Sequence, residues 1–156
     1  MPLQLRAAQS DDKPFLARLE EDCMRDYATA LWGIWRPRPD DTLRLDTHRI
    51  ILKENAAVGC VSITRHADHA WLEKLYITPA SQRQGIGALV LQQLISEANA
   101  SSLPLRLSVL TTNPARAFYE REGLCVYERN DERFFMSTMN EPGHGAPTPP
   151  IALSAT

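Results

Sequence analysis

A chain of 156 residues, 44% hydrophobic and 23% charged, is one domain of ordinary soluble composition. Its formal charge of -2 gives no general pull toward nucleic acid or membrane and leaves pairing into a homodimer open. The three cysteines, Cys23, Cys60 and Cys125, are scattered and odd in number, so buried thiols are expected rather than a disulfide frame or a zinc site. The N-terminal MPLQLRAAQS lacks the apolar core of a signal peptide and no apolar run is long enough to span a bilayer, which makes a cytoplasmic protein the expectation.

Leu3, Leu5 and Ala7 alternate with Gln4 and Arg6, the pattern of a half-buried strand. Ser10-Asp11-Asp12 suits a helix N-terminus, and Pro14 is tolerated in a first turn. Phe15, Leu16, Leu19 and Cys23 then mark the apolar face of a helix, with Glu20, Glu21, Asp22 and Asp26 on the other. Those acids read either as a solvated face or as a cluster attracting a cationic amine. Tyr27 to Trp35 reads as a second short helix or a turn, ended by Pro37 and Pro39. Its aromatic residues suit a substrate wall and a packed core equally. Thr47–Glu54 and Ala57–Arg65 read as strands joined by a turn at Glu54-Asn55. His66-Ala67-Asp68-His69 has the look of a metal fragment, but it lacks further ligands at a usable spacing, so no metal site is expected.

Trp71–Ile77 is a short aromatic and aliphatic run, read as a strand that stops before Pro79. Gln82-Arg83-Gln84-Gly85-Ile86-Gly87 follows and leads into Ile86, Leu89, Val90, Ile95 and Ala98 at helical spacing. A strand, a glycine-bearing turn and a helix N-terminus together can bind an anion, because the first helical N–H groups have no internal partner. The same glycines could instead serve turn geometry alone. Leu105–Leu110 is a further strand, so Trp71–Ile77 and Leu105–Leu110 should be parallel neighbours across a βαβ crossover. Thr111-Thr112-Asn113 caps a helix from about Pro114 to Arg121, closed by Gly123. Leu124–Glu128 and Arg133–Met139 complete the sheet as an antiparallel pair. Residues 1–139 thus form the domain, and 140–156, rich in proline and glycine, are expected to be a disordered tail.

Two kinds of phosphate loop fail here. No lysine followed by serine or threonine comes after the glycines, which excludes G-x-x-x-x-G-K-[ST]. A dinucleotide fingerprint would set branched Val90 where its third glycine must allow close packing. Gln82 to Gly87 instead resembles the [RQ]-x-x-G-x-[GA] pyrophosphate motif of the GNAT superfamily of acyl-CoA-dependent N-acyltransferases. Leu75-Tyr76-Ile77-Thr78-Pro79 resembles the strand leading into that motif, and Asn113 to Gly123 resembles the family's N-x-A-x-x-x-Y-E-x-x-G block. Leu124 departs from the usual phenylalanine, a matter of core packing. The resemblance implies an α/β (α+β) fold with a mixed, mostly antiparallel sheet of about seven strands. About four helices would flank it, with one parallel βαβ unit at the CoA site.

The resemblance also implies acetyl-CoA as cosubstrate, no metal, and an amine as the second partner. Backbone N–H groups of Arg83, Gln84, Gly85, Ile86, Gly87 and Ala88 would hold the pyrophosphate, with the Arg83 side chain a second contact. Leu75, Tyr76 and Ile77 would flank the pantetheine arm, Leu75 and Ile77 pairing with it through their backbone, and the Asn113 amide would reach the same arm. An alkylamine is neutral in roughly one molecule per 10³ at pH 7, so the chemistry needs a proton acceptor. Glu73 is the first candidate, expected on the strand face shared by Leu75 and Ile77, with Glu21 and Asp26 in reserve. Tyr119 resembles the family's acid toward the departing thiolate. The alternative class is a non-catalytic acyl-CoA sensor on the same fold. A nucleic-acid module would need a concentrated basic patch, which the sequence lacks.

Overall fold

Short runs of apolar residues broken by turn chemistry give seven strands and three α-helices among the described residues, which are 2–39 and 43–138 of the computed structural model. In chain order they are β1 (Leu3–Ala7), α1 (Lys13–Trp32), β2 (His48–Lys53), β3 (Ala56–Arg65), β4 (Ala70–Ile77), α2 (Ile86–Ala100), β5 (Leu105–Leu110), α3 (Ala115–Arg121), β6 (Cys125–Arg129) and β7 (Arg133–Ser137). One sheet holds all seven strands in the order β1-β2-β3-β4-β5-β7-β6. Every pair is antiparallel except β4 with β5. Met139 and the stretch expected to be a tail lie outside the described residues.

The helices divide between the two faces. Ile86, Val90, Leu91, Leu94 and Ala98 of α2 pack with Tyr119 of α3 against Leu72, Leu105 and Leu107 on one face. Leu16 and Leu19 of α1 pack against Ile50 and Cys60 on the other. Burying one such side chain stabilises the fold by roughly 1.5–3 kcal/mol, so the larger α2 cluster carries most of the core. Leu89, expected on the packed side of α2, is 52% exposed; the buried arc turns instead through Leu91 and Leu94.

Two expectations change on folding, and the order of the last strands is added. Residues 27–35 do not start a second helix: α1 runs unbroken from Lys13 to Trp32, giving three α-helices rather than four. No glycine or proline interrupts it before Gly33, which takes φ +80° and donates its N–H to the Thr29 carbonyl. Pro114 stands just before α3 rather than inside it, and Asn113 Oδ1 accepts the Ala115 N–H at 2.9 Å. β7 inserts between β5 and β6, a strand order that hairpin signals do not specify. At the hairpin turns Glu54 and Asn55 both have positive φ, while Asn130 Oδ1 accepts the N–H groups of Glu132 and Arg133.

Two features shape the middle of the sheet. β4 and β5 are in register only at Ala70–Leu105 and Trp71–Arg106, then part. On the other edge of β4, Ser62 faces Lys74 while Ile63 faces Leu72, so Glu73 is the extra residue of a β-bulge.

A buried polar row crosses the sheet beside that bulge. His48 on β2, Ser62 on β3 and Lys74 on β4 are register partners, each at most 5% exposed. The His48 Nδ1–H donates to the Arg44 carbonyl at 2.6 Å, and burial, followed by the nearby Lys74 charge, holds its pKa below the ordinary histidine value. His69 is depressed too, chiefly by burial, against the opposing pull of its hydrogen bond to Asp68. A histidine depressed in the fold takes up its proton more readily once unfolded. Stability is therefore complete above the unfolded pKa near ~6.5 and falls as the pH drops below it. Urea unfolding between pH 7.5 and 5 should show this decline, with a slope of at most about 1.4 kcal/mol per pH unit from His48. The slope should be shallower in His48→Asn; an identical slope there would remove His48 from the account.

Candidate active site

The parting of β4 from β5 opens a cleft of about 1090 Å3 that reaches both faces of the sheet. On the α2 side it is lined by residues 85–88 of the turn and helix start and by Asn113, Phe118 and Tyr119. On the α1 side it is lined by Glu20, Cys23, Tyr27, Trp35, Arg38 and Arg133. Leu72 to Ile77 of β4 and Leu107 to Leu110 of β5 form the walls of the gap between them. Such a volume stands at the upper end of small-molecule pockets, large enough for two ligands to meet.

The turn into α2 carries the site's strongest local electrostatics. Gly85 stands at the helix N-cap with φ +81° and Arg83 has φ +65°. The first helical hydrogen bond is Leu89 N–H to the Gly85 carbonyl at 3.1 Å. None of the N–H groups from Arg83 to Ala88 donates a hydrogen bond to the rest of the described protein. Six consecutive donors at the positive end of a helix form a cradle for a phosphate or pyrophosphate, with the dipole adding roughly 0.3–2 kcal/mol. Gln82 braces the approach by donating its amide Nε2–H to the Ile77 carbonyl at 2.9 Å, and Lys53 Nζ donates to Gln84 Oε1 at 2.9 Å.

Thr78 N–H donates to the Val58 carbonyl on β3, so Tyr76 also faces β3 through its backbone. Leu75 and Ile77, by alternation, turn their backbone groups into the β4–β5 gap. Cys23 Sγ lies 3.3 Å from the Ile77 carbonyl, which already takes the Gln82 bond. Burial pushes the Cys23 thiol up to about 11, so it remains a thiol. The Asn113 Oδ1 is spent on capping α3, which leaves its Nδ2 hydrogens for the cleft.

Tyr119 is 8% exposed and lines the cleft from α3. Burial alone raises its phenol above the ordinary value, so it stays protonated at neutral pH and acts as a hydrogen-bond donor.

Glu73 lines the cleft, but not from the face expected. Leu72 packs on the α2 side with Leu75 and Ile77, whereas Lys74 and Tyr76 turn to α1. The bulge at Glu73 breaks the alternation, and its charge acts on His48 and Arg44 of the α1 face. Glu73 therefore does not share a face with Leu75 and Ile77; the strand pattern of period two fails at an inserted residue.

The acidic face of α1 is likewise rearranged. Glu21 pairs with Arg25 in solvent at 3.1 Å. Glu20 turns inward, 7% exposed, with Oε1 3.3 Å from Lys74 Nζ and 3.5 Å from Arg38 Nη2. Lys74, Arg38 and Arg133 were not candidates from sequence, because no local pattern brings residues 54 positions apart into one ion cluster. Tyr27, Trp32 and Trp35 all line the cleft, so the stretch stands where a wall would be. Trp32 also donates its indole N–H to Glu132 at 2.8 Å, and Thr112 Oγ1–H donates to the Tyr27 carbonyl at 2.7 Å, tying the end of α1 to the β5 and β7 side. Among the described residues no three His, Cys, Asp or Glu side chains converge on one point, and no helix is long and apolar enough to cross a membrane.

Residues 45–123 match the model of the acetyltransferase (GNAT) domain. The chain belongs to the GNAT acetyltransferase family. Its fold is similar to that of the PaiA N-acetyltransferase of Thermoplasma acidophilum in complex with coenzyme A. That likeness has a TM-score of 0.70 at 17% identity, over 90% of this chain and 100% of that one. It is similar also to the Escherichia coli ribosomal-protein-S18-alanine N-acetyltransferase, with TM-score 0.67 and 19% identity over 91% and 98% of the two chains. An acetyltransferase of Thermus thermophilus gives 0.66 and 22% identity over 88% and 96%. At these identities the likeness is one of fold. No curated protein matches the chain by sequence. The expected mixed sheet, its one parallel pair and the GNAT membership all hold.

The two motif glycines of this GNAT turn differ in what they tolerate. A Cβ at Gly85 meets no neighbour but must take φ +81°, whereas one at Gly87 makes an ordinary 3.6 Å contact with Phe118. Gly85→Ala should cost about 1–2 kcal/mol of unfolding free energy. Gly87→Ala should be neutral or stabilising by up to about 1 kcal/mol, since alanine is the better helix former. Urea unfolding of the two variants checks the order; equal costs would mean that backbone conformation does not set the requirement.

Proposed function

We propose that this GNAT protein is an N-acetyltransferase that moves an acetyl group from acetyl-CoA to a primary amine by direct attack. The observation that carries the reading is the convergence on one cleft of three elements. They are the unpartnered N–H groups from Arg83 to Ala88, the backbone of Leu75 and Ile77 facing the strand gap, and the protonated phenol of Tyr119. In this reading the N–H groups and Arg83 hold the pyrophosphate. The pantetheine arm lies along Leu75, Tyr76 and Ile77 as an added strand, with Asn113 Nδ2 donating to it. Solved relatives of the same fold are complexes with coenzyme A, which supports that placement of the cosubstrate.

The amine nitrogen attacks the thioester carbonyl carbon, the C–S bond breaks, and the thiolate leaves. The nitrogen must first lose a proton, a deficit near 4 kcal/mol for an alkylamine at pH 7. Glu73 takes that proton, directly or through water, from its position on the bulge at the α1 side of the gap. Tyr119 donates a hydrogen bond to the thiolate as charge develops. Its raised pKa makes outright transfer costlier than the ~2 kcal/mol expected for an ordinary phenol and thiol, so donation is the better description. Free thiols and a soluble cosubstrate fit a cytoplasmic setting.

The decisive experiment is a CoA thiol-release assay on the purified chain with a panel of amines. Release that depends on an added amine supports the reading. Acetyl-CoA binding without such release would leave an acyl-CoA sensor, and absence of binding would overturn both. Tyr119→Phe should lower kcat with little change in the acetyl-CoA KM. Glu73→Gln should lower kcat by roughly 10²–10⁴, the usual contribution of a positioned base, again with the acetyl-CoA KM kept. An unchanged kcat in either variant removes that residue from the mechanism.

A further inference from the structure

The two ends of the cleft differ in charge. Among the described residues that line the α1 end, Arg36, Arg38, Lys74 and Arg133 stand with two carboxylates, Glu20 and Glu73, while Glu132 acts on Arg133 from outside the lining. Glu20 is shared between Lys74 and Arg38, and the 3.5 Å approach of Arg38 is a loose ion contact rather than a hydrogen bond. Arg133 has no carboxylate within ion-pair distance among the described residues; its Nη1–H donates to Ser108 Oγ at 3.3 Å. Burial lowers its affinity for its proton against the opposing pull of Glu132 and then Tyr76, and Arg38, which lines the same cavity, adds a smaller lowering. Beside them the Trp35 indole N–H is buried without an acceptor.

Among the described residues cationic donors therefore outnumber carboxylates at this end, even though Glu20 Oε1 is itself buried with ion contacts but no hydrogen bond. A buried donor left unpaired is costly, and planar guanidinium forks match a carboxylate or phosphate in two-pronged geometry. The sequence left the acids of α1 open between a solvated face and a cluster attracting a cationic amine. In the fold Glu21 faces solvent with Arg25, and Glu20 turns inward to Lys74 and Arg38.

We propose that the acceptor is a small amine that carries an oxyanion, with the oxyanion held by Arg38 and Arg133 beside the Trp35 N–H. This rests on the N-acetyltransferase reading above and names its substrate class. Arg38 and Arg133 are then specificity-determining residues. The amine end of the same molecule lies toward the Glu73 carboxylate, so a zwitterionic acceptor is oriented by both of its ends. Glu73 takes the ammonium proton, the free amine then attacks the thioester carbon, the C–S bond breaks and the proton shed as the amide forms goes to the departing CoA thiolate, so the oxyanion takes no part in bond making.

The test compares kcat/KM at saturating acetyl-CoA for four acceptors: an α-amino acid, its carboxamide, an amino-alkyl phosphate and a diamine. The amino acid or the amino phosphate should exceed both the carboxamide and the diamine by roughly 10- to 100-fold, the scale of a hydrogen bond to a charged group. Whichever leads identifies the oxyanion as carboxylate or phosphate. Arg133→Gln and Arg38→Gln should each reduce that ratio at least several-fold while leaving the acetyl-CoA KM in place. Arg133→Glu should move the preference toward the diamine. If Arg133 variants do not fold, because Ser108 loses its partner, Arg38→Gln on its exposed segment decides alone. Equal use of the carboxamide or diamine by the wild-type chain, or a ratio untouched by Arg38→Gln, overturns the proposal. Thiol release with the diamine alone would sink only this substrate class. Silence with all four acceptors would overturn the substrate class together with the parent reading.

Discussion

The site depends on one departure from regular pairing: β4 and β5 meet at two residue pairs and then separate. A parallel ladder would otherwise satisfy the backbone of Leu75 and Ile77 and close the sheet. The bulge at Glu73 adds twist on one edge of β4 just where its other edge leaves β5. The cost is a loss of ladder partners in the middle of a sheet, made good at the Ile77 carbonyl by Gln82 and Cys23 and elsewhere tolerable only if water or a ligand can reach the backbone. The cleft is that access, and the added-strand position it leaves is what an extended amide-bearing arm would fill.

The two faces of the sheet divide the work. On the α2 face a large apolar cluster fixes the helix whose N-terminus opens on the cleft, so the N–H groups from Arg83 to Ala88 are held by packing and by the Gln82 brace. Preorganised donors of this kind need no rearrangement when an anion arrives. On the α1 face the apolar cluster is smaller, and ion contacts complete it: Glu20 with Lys74 and Arg38. A buried carboxylate between two cations is expensive to isolate, so removing either partner would be felt more than the loss of a surface pair. The arrangement suits a part of the site that discriminates between ligands, because it leaves positive charge unspent.

Tyr119 links the two halves. Its ring packs in the α2-side core while its residue lines the cleft, and the same burial that stabilises the ring keeps the phenol protonated. Packing and acid strength thus have one cause.

What the sequence determined by itself is local. Gly85 at φ +81°, the N–H groups that follow it, and the Asn113 cap of α3 arise from residues within a turn or two of one another, and the hexamer with the Asn113–Gly123 block carried the family. The single βαβ crossover was legible because strand, helix and strand follow in order. Tertiary structure alone decided the rest. Alternation put Glu73 with Leu75 and Ile77, but the bulge that turns it to α1 exists only against β3. The break expected near Tyr27 is absent because no residue before Gly33 stops the helix, and its far end is tied down by Glu132 and Thr112 across the sheet. The charge around the α1 end of the cleft is set by which acids are already paired. Those pairings, Glu20 with Lys74 and Glu21 with Arg25, are contacts that a linear pattern of acids cannot rank.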